Sequence, residues 1–309
     1  MKVLEVNHLV KRYGKNLAVS DIDFSVNQGE VFGLLGPNGA GKSTTINILT
    51  GLIQKDEGRV SVIGKDLDKE LTACKYDMGV VPQELAIYED LTAGQNVSFF
   101  GSLYGLKGKQ LSDKVDQTLA FVGLSDKKKH RVKTFSGGMK RRLNIACGLV
   151  TDPKILFLDE PTVGIDPQSR NHILESIKHL NKQGMTVIYT THYMEEAEAL
   201  CDRIAIMDVG QIVAQGTMDE LRNLVVDHWF IKLKTNPEIE ESWLKAIPGV
   251  ENIETKGEQW VISCKNKGTQ LRDIIDLYLK HDQMVEELRV EEPDLEDIFL
   301  TLTGKTLRD

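Results

Sequence analysis

Gly36-Pro37-Asn38-Gly39-Ala40-Gly41-Lys42-Ser43 satisfies the pattern G-x-x-x-x-G-K-[ST] at every fixed position. The run before it, Val31-Phe32-Gly33-Leu34-Leu35, is apolar and reads as a buried strand. The run after it, Thr44-Thr45-Ile46-Asn47-Ile48-Leu49, reads as a helix. Strand, glycine-rich loop and helix in that order make a phosphate cradle. Glycines carry no Cβ, so successive backbone N–H groups can turn inward onto phosphate oxygens. The helix N-terminus adds partial positive charge at the same point. In such a loop Lys42 reaches β- and γ-phosphates, and the Ser43 hydroxyl ligates Mg2+.

Around this loop the hydrophobic pattern changes period several times. Residues 2–7, 21–26 and 58–63 are strand-like and predict an antiparallel layer beside the phosphate site. Residues 78–83 read as a short strand ending at Pro82. From residue 91 to 150 the pattern is helical, with Leu111, Val115, Leu119 and Val122 at three- and four-residue spacing. The apolar runs at 155–158 and 185–190 suit central parallel strands covered on both faces. Residues 203–207 and 211–214 flank Val209-Gly210 and predict a hairpin. Beyond residue 227 the tail reads β-α-β-β-α-β, with strands at 228–234, 250–255, 259–264 and 285–290 and helices at 237–246 and 269–280. That is a ferredoxin-like order. A last helix is predicted at 295–302. The tail holds no convincing catalytic set, which suits a small regulatory or dimer-stabilising domain.

The net charge of −8 argues against nucleic acid as the main partner. Basic clusters are local, at residues 127–131 and at Lys140-Arg141-Arg142. Cys74, Cys147, Cys201 and Cys264 form no CxxC pair, so the pattern predicts reduced thiols in a cytosolic chain. The N-terminus lacks the apolar core of a signal peptide. No run approaches the roughly 18 apolar residues of a membrane span. Any membrane role must therefore pass through a partner chain.

Two further stretches carry chemistry. Leu156-Phe157-Leu158-Asp159-Glu160 ends an apolar strand in two carboxylates, where α/β sheets bind ligands. Asp159 is the candidate Mg2+ ligand and Glu160 the group that polarises an attacking water. In Phe135-Ser136-Gly137-Gly138-Met139-Lys140, Ser136 is a good N-cap and the glycines leave the first helical amides uncovered. That makes a second anion site, which a single pocket in one chain does not need.

The phosphate loop, Gln83, Ser136-Gly137-Gly138, Asp159-Glu160 and His192, in that order, resemble the ATP-binding cassette of ABC transporters over about residues 1–225. The resemblance implies an α/β P-loop NTPase with an antiparallel β subdomain and a helical subdomain at about 85–150. Residues 228–309 would form a small α+β accessory domain. It implies ATP and Mg2+ as ligands. Gly36, Pro37, Asn38, Gly39, Ala40, Gly41, Lys42, Ser43 and Thr44 would cradle the phosphates, and Tyr13 would stack on adenine. Ser43, Gln83 and Asp159 would serve the metal, and Glu160, His192 and Lys42 would be catalytic. Ser136, Gly137 and Gly138 would bind the γ-phosphate held by an opposing subunit, with Asp166 at the dimer contact. Phe135 and Met139 depart from the commonest signature, which has Leu and Gln there.

Residues 136–143 and the tail from Glu292 to Gly304 are similar to cassettes of ABC-2-type exporters. This implies an ATP-bound homodimer and an integral-membrane permease as partner. It further implies drug, antibiotic, other small-molecule or ion efflux, and a cytoplasmic place on the inner face of the cell membrane. The alternative is a soluble ABC ATPase acting on ribosomes or nucleic acid. Those relatives carry two cassettes, long coiled coils or zinc modules, and this chain has one cassette and neither insertion. A module without hydrolysis is disfavoured by the intact Glu160 and His192.

Overall fold

The computed structural model describes residues 1–225, 228–236, 241–256, 259–265, 269–281, 284–291 and 293–304. The chain divides into two compact units, one spanning Met1–Gln215 and one beginning at Gly216.

The first unit opens with β1 (Lys2–Tyr13), β2 (Asn16–Asn27), β3 (Val31–Leu35), α1 (Lys42–Leu49), β4 (Glu57–Val62), β5 (Lys65–Asp66), α2 (Leu71–Tyr76) and β6 (Met78–Val81). It continues through α3 (Ala93–Leu103), α4 (Gly108–Phe121), α5 (Gly137–Leu149), β7 (Ile155–Asp159), α6 (Pro167–Lys182), β8 (Thr186–Thr191), α7 (Met194–Leu200), β9 (Arg203–Asp208) and β10 (Gln211–Gly216). The expected antiparallel layer is the sheet β2-β1-β4-β5, whose first two strands run longer than the sequence pattern suggested. The second sheet has the order β10-β9-β3-β8-β7-β6, with β9, β3, β8, β7 and β6 in parallel register. The Val209-Gly210 turn between β9 and β10 has positive φ at both positions, 45° and 78°. That geometry matches the right-handed twist of a two-residue hairpin.

Apolar residues alternate between the two faces of the parallel sheet. Phe32, Leu34, Phe157 and Ile188 pack with Leu4, Val6, Ile22 and Phe24 of the antiparallel layer. Val31, Leu156, Leu158, Val187 and Tyr189 face the opposite way and pack with Val97, Leu119, Leu143 and Ile173 of the helices. Both faces are dry, so these strands read as unbroken apolar runs. The region expected to be helical from 91 to 150 is three helices, broken between α4 and α5 by two short 3-10 turns at 125–127 and 132–134. Thr92 and Gln95 form a capping box on α3, and Ser136 caps α5.

The second unit contains α8 (Met218–Asn223), β11 (His228–Asn236), α9 (Glu241–Lys245), β12 (Val250–Lys256), β13 (Gln259–Lys265), α10 (Thr269–Lys280), β14 (Met284–Glu291) and α11 (Leu295–Thr303). Its strand order, β12-β13-β11-β14 with antiparallel neighbours, is the ferredoxin-like sheet. α9 is shorter than the helix expected at 237–246, of which 237–240 lie outside the described residues. Glu292 of the tail motif, residues 305–309 of the expected accessory domain and residues 226–227 between the two expected domains also lie outside them. No helix among the described residues is long and apolar enough to cross a membrane. All four cysteines are free, and burial pushes the Cys264 thiol up to about 11.

β6 and α5 meet through glycines. A Cβ on Gly79 would stand 2.3 Å from the carbonyl oxygen of Gly148, and one on Gly148 would stand 2.8 Å from Val81 Cγ2. Backbone cannot yield as a flexible side chain does. Gly79→Ala is therefore expected to cost about 1–3 kcal/mol of stability, read as a lower urea midpoint. An unchanged midpoint would contradict this close approach.

Candidate active site

The register of the parallel strands builds the site. Leu35 at the end of β3 pairs with Thr191 of β8, Asp159 of β7 pairs with Thr190, and Val81 of β6 pairs with Leu158. The segments that carry Lys42, Gln83, Glu160 and His192 therefore leave one sheet edge side by side. This is the carboxyl edge, where open α/β sheets bind ligands.

The phosphate loop is pressed against its surroundings. A Cβ on Gly36 would lie 2.3 Å from Met207 O, and one on Gly41 would lie 2.5 Å from Ala18 O. Gly41 has φ 103° and starts α1, so Lys42, Ser43 and Thr44 already sit in the helix rather than before it. Lys42 is buried. Its ammonium donates to Gly36 O at 2.7 Å and Pro37 O at 3.1 Å, and it lies 3.2 Å from Glu160 Oε1. A buried ammonium this well partnered avoids most of the desolvation cost of an isolated one.

The two carboxylates are organised by a residue that sequence reasoning missed. Thr190 Oγ1 donates to Asp159 Oδ1 at 2.6 Å and accepts the Glu160 N–H at 2.9 Å. Ser43 Oγ donates to the same Asp159 oxygen at 3.2 Å. Glu160 has φ 44°, an unfavourable backbone state for a non-glycine residue. The Thr190 bond and the ion pair with Lys42 hold it there. Gln83 Nε2 donates to Glu160 Oε2 at 3.2 Å. His192 Nδ1 lies 3.3 Å from that oxygen, outside hydrogen-bond alignment.

A cavity of about 380 Å³ opens above these groups. Tyr13, Asn38, Gly39, Gly41, Lys42, Ser43, Thr44, Gln83 and Glu160 line it. Asn16, Leu17, Ala18 and Val209 also line it and were not anticipated, because they reach it only through the β1–β2 hairpin and the β9–β10 turn. Tyr13 stands half-exposed at the rim, with Lys11 Nζ 5.6 Å from its ring centre. Gly36, Pro37 and Ala40 support the loop from behind, with Ala40 N–H donating to Pro37 O.

The signature residues lie elsewhere. Ser136 and Gly137 are exposed, and neither lines the cavity of its own chain. Ser136 Oγ accepts the Met139 N–H at 3.3 Å. Gly138 is buried, and a Cβ there would meet Ser169 Oγ at 2.1 Å. Asp166 accepts the Ser169 N–H at 2.9 Å, and this bond holds its carboxyl below the usual range. Signature and Asp166 thus share one surface. Met139 packs against the helical core, which suits an apolar residue there. Arg141, within the basic cluster, is buried and donates to Gln83 O at 2.7 Å. A charge count cannot find it. Its place on the α5 face shared with Gly138 and Ile145 can.

Burial pushes the Asp159 carboxyl above its usual range, against the opposing bonds from Thr190 and Ser43. The folded state then holds the proton more tightly than the unfolded chain. Stability falls as pH rises from the ordinary carboxylate range through the raised value, and the penalty is complete above it. Asp159→Asn removes that penalty. It is expected to raise the melting midpoint at neutral pH, by roughly 2–4 °C per kcal/mol relieved, with the gain vanishing toward acid pH. A lower midpoint at neutral pH would contradict this.

Comparison with known proteins agrees with this geometry. Residues 19–163 match the ABC transporter family, and residues 216–303 match the C-terminal domain of DrrA1-3-like ATP-binding proteins. The chain is 46% identical to the linearmycin resistance ATP-binding protein LnrL of Bacillus subtilis (strain 168), over 99% of this chain and 100% of that one. It is 35% identical to the daunorubicin resistance ATP-binding protein DrrA3 of Streptomyces coeruleorubidus, over 99% and 97%. Among solved structures, a dimeric ATP-binding cassette in a post-hydrolysis state with ADP and Pi superposes with a TM-score of 0.64 at 27% identity, covering 70% of this chain and 98% of that one. The chain belongs to the ABC transporter family, as an ATPase subunit of its ABC-2 exporter branch.

Proposed function

We propose that two copies of this chain face each other head to tail and enclose two Mg-ATP molecules between them. The observation that carries this reading is the separation of the two anion sites. Lys42 and the phosphate loop line the cavity, whereas Ser136 and Gly137 lie exposed outside it. A second copy brings its own bare α5 N-terminus to the first copy's phosphates. ATP then acts as an adhesive, because one γ-phosphate satisfies donors on both chains.

The residues present fit the ligands. The crowding behind Gly36 and Gly41 leaves backbone where side chains would otherwise stand, which suits phosphate approach. Ser43 and Asp159 offer hard oxygen donors 3.2 Å apart, with Gln83 nearby, a set that suits Mg2+. Bound there, the metal would neutralise phosphate charge. Lys42 holds the β- and γ-phosphates. Glu160 accepts a proton from the attacking water, and His192 beside it orients the γ-phosphate. Tyr13 offers its exposed ring to adenine.

The work is delivered to a membrane permease, on whose cytoplasmic face the subunit rides. Residues 84–91 form an exposed loop anchored from below: Asn144 Oδ1 accepts the Ala86 N–H, and Asn96 Oδ1 accepts the Tyr88 N–H. Leu85 and Tyr88 remain exposed there, with Phe99 packed edge-on against Tyr88. This small apolar patch, joined through Gln83 to Glu160, suits a cytoplasmic helix of the permease. The relatives named above act in linearmycin and daunorubicin resistance, which favours an antibiotic-like small molecule as cargo.

Glu160→Gln is expected to keep ATP binding, slow hydrolysis by about 10²–10⁴-fold and elute as a dimer with Mg-ATP on gel filtration. Elution as monomer alone would refute the sandwich. Lys42→Ala removes a charge-assisted contact and should weaken ATP binding by about ten- to a hundredfold, read by nucleotide titration. Unchanged affinity would refute the role given to the lysine.

A further inference from the structure

Glu196, on α7, is 3% exposed and takes no part in the steps above. Its Oε2 accepts three hydroxyl bonds: from Thr162 at 2.9 Å, from Tyr189 at 2.7 Å and from Thr191 at 3.0 Å. Burial, then the neighbouring Glu196 carboxylate, pushes the Tyr189 hydroxyl well above its usual range, so it stays a donor. Thr191 Oγ1 in turn accepts the Tyr193 N–H at 2.9 Å. His192 is thus bracketed on both sides by bonds that trace back to one carboxylate. Thr162 lies two residues past Glu160, so the same oxygen also grips the segment that leaves the catalytic carboxylate.

The other oxygen faces α6. Glu196 Oε1 is 3.4 Å from Arg170 Nε, and both atoms are buried without a hydrogen-bond partner. The Arg170 guanidinium stacks 4.5 Å from the Tyr193 ring centre, and the Tyr193 and His192 ring centres are 4.2 Å apart. Arg170 itself sits in the first turn of α6, where its backbone N–H makes the helical bond to the carbonyl of the N-cap Asp166, beside the signature surface. A buried carboxylate is a poor choice for stability alone, because packed apolar residues often serve as well. One oxygen shared by three hydroxyls does what apolar packing cannot. It fixes three chain segments relative to one another.

We propose that Glu196 is a positioning residue for ATP hydrolysis. Through Thr162 and Thr191 it sets the spacing of Glu160 and His192, and through Arg170 it ties that spacing to the first turn of α6, which Asp166 caps. This rests on the roles proposed for Glu160 and His192. A displacement of about 1 Å in such a constellation can cost two orders of magnitude in rate.

The test is steady-state Mg-ATPase, with kcat and KM separated, on Glu196→Ala, Thr191→Val and His192→Ala and on the double variants that include His192→Ala. Each of the first two is expected to lower kcat about tenfold with KM for ATP within twofold. The Thr191→Val double variant should be no slower than His192→Ala alone, because the threonine acts through that histidine, whereas the Glu196→Ala double variant should be slower by the share that Thr162 carries to Glu160. Wild-type kcat in Glu196→Ala, or a Thr191→Val loss that multiplies with that of His192→Ala, would overturn the proposal. Wild-type kcat in His192→Ala would instead refute the reading of the active site beneath it. Thr191→Val is isosteric and leaves the carboxylate in place. Should Glu196→Ala fail to fold, the Thr191 pair of variants decides alone.

Discussion

Parallel strand register is the constraint on which the site depends. β3, β8 and β7 are buried on both faces, so a strand that slipped by one residue would exchange the side chains shaped for one packed layer with those shaped for the other. That locked register puts Leu35 beside Thr191 and Asp159 beside Thr190. The polar residues that follow each strand then meet without any further device. Burying the large apolar side chains contributes about 1.5–3 kcal/mol each. The sheet can therefore carry a cluster of buried charges at its edge that would be costly on its own.

Those charges are only partly compensated. Lys42 sits between the carbonyls of its own loop and Glu160, and Asp159 is held by two hydroxyls. Glu160 adopts a positive φ that the surrounding bonds enforce. Strain and buried charge gathered at one point mark a site arranged for chemistry rather than for stability. Thr190 and Glu196 act in parallel here. The first orients the two acidic residues, and the second braces the histidine turn against the segment after Glu160.

The sequence exposed whatever rests on short-range pattern. Residues 36–43 announce their cradle through glycine spacing, and 155–158 announce a central strand through an unbroken apolar run ending in two acids. The β-α-β-β-α-β order of the tail was legible for the same reason, down to its ferredoxin-like sheet. What stayed hidden depends on distance through space. Thr190 looks like an ordinary strand residue until register places it against Asp159. Arg141 looks like part of a solvated basic cluster until α5 turns it toward Gln83. Asn16, Leu17 and Ala18 reach the cavity only because the long β1–β2 hairpin folds over the loop. Helix α1 begins at Lys42 rather than Thr44 because Gly41 takes a left-handed turn that its residue type permits but does not require.

The mechanism requires that one catalytic centre be assembled from two chains. The direct measurement is a structure of the Glu160→Gln protein with Mg-ATP. Two copies should be seen with Ser136 and Gly138 of each within hydrogen-bond distance of the γ-phosphate that the other copy's Lys42 holds. Nucleotide held by Lys42 in a single chain, with the α5 N-terminus remote from every phosphate, would contradict it.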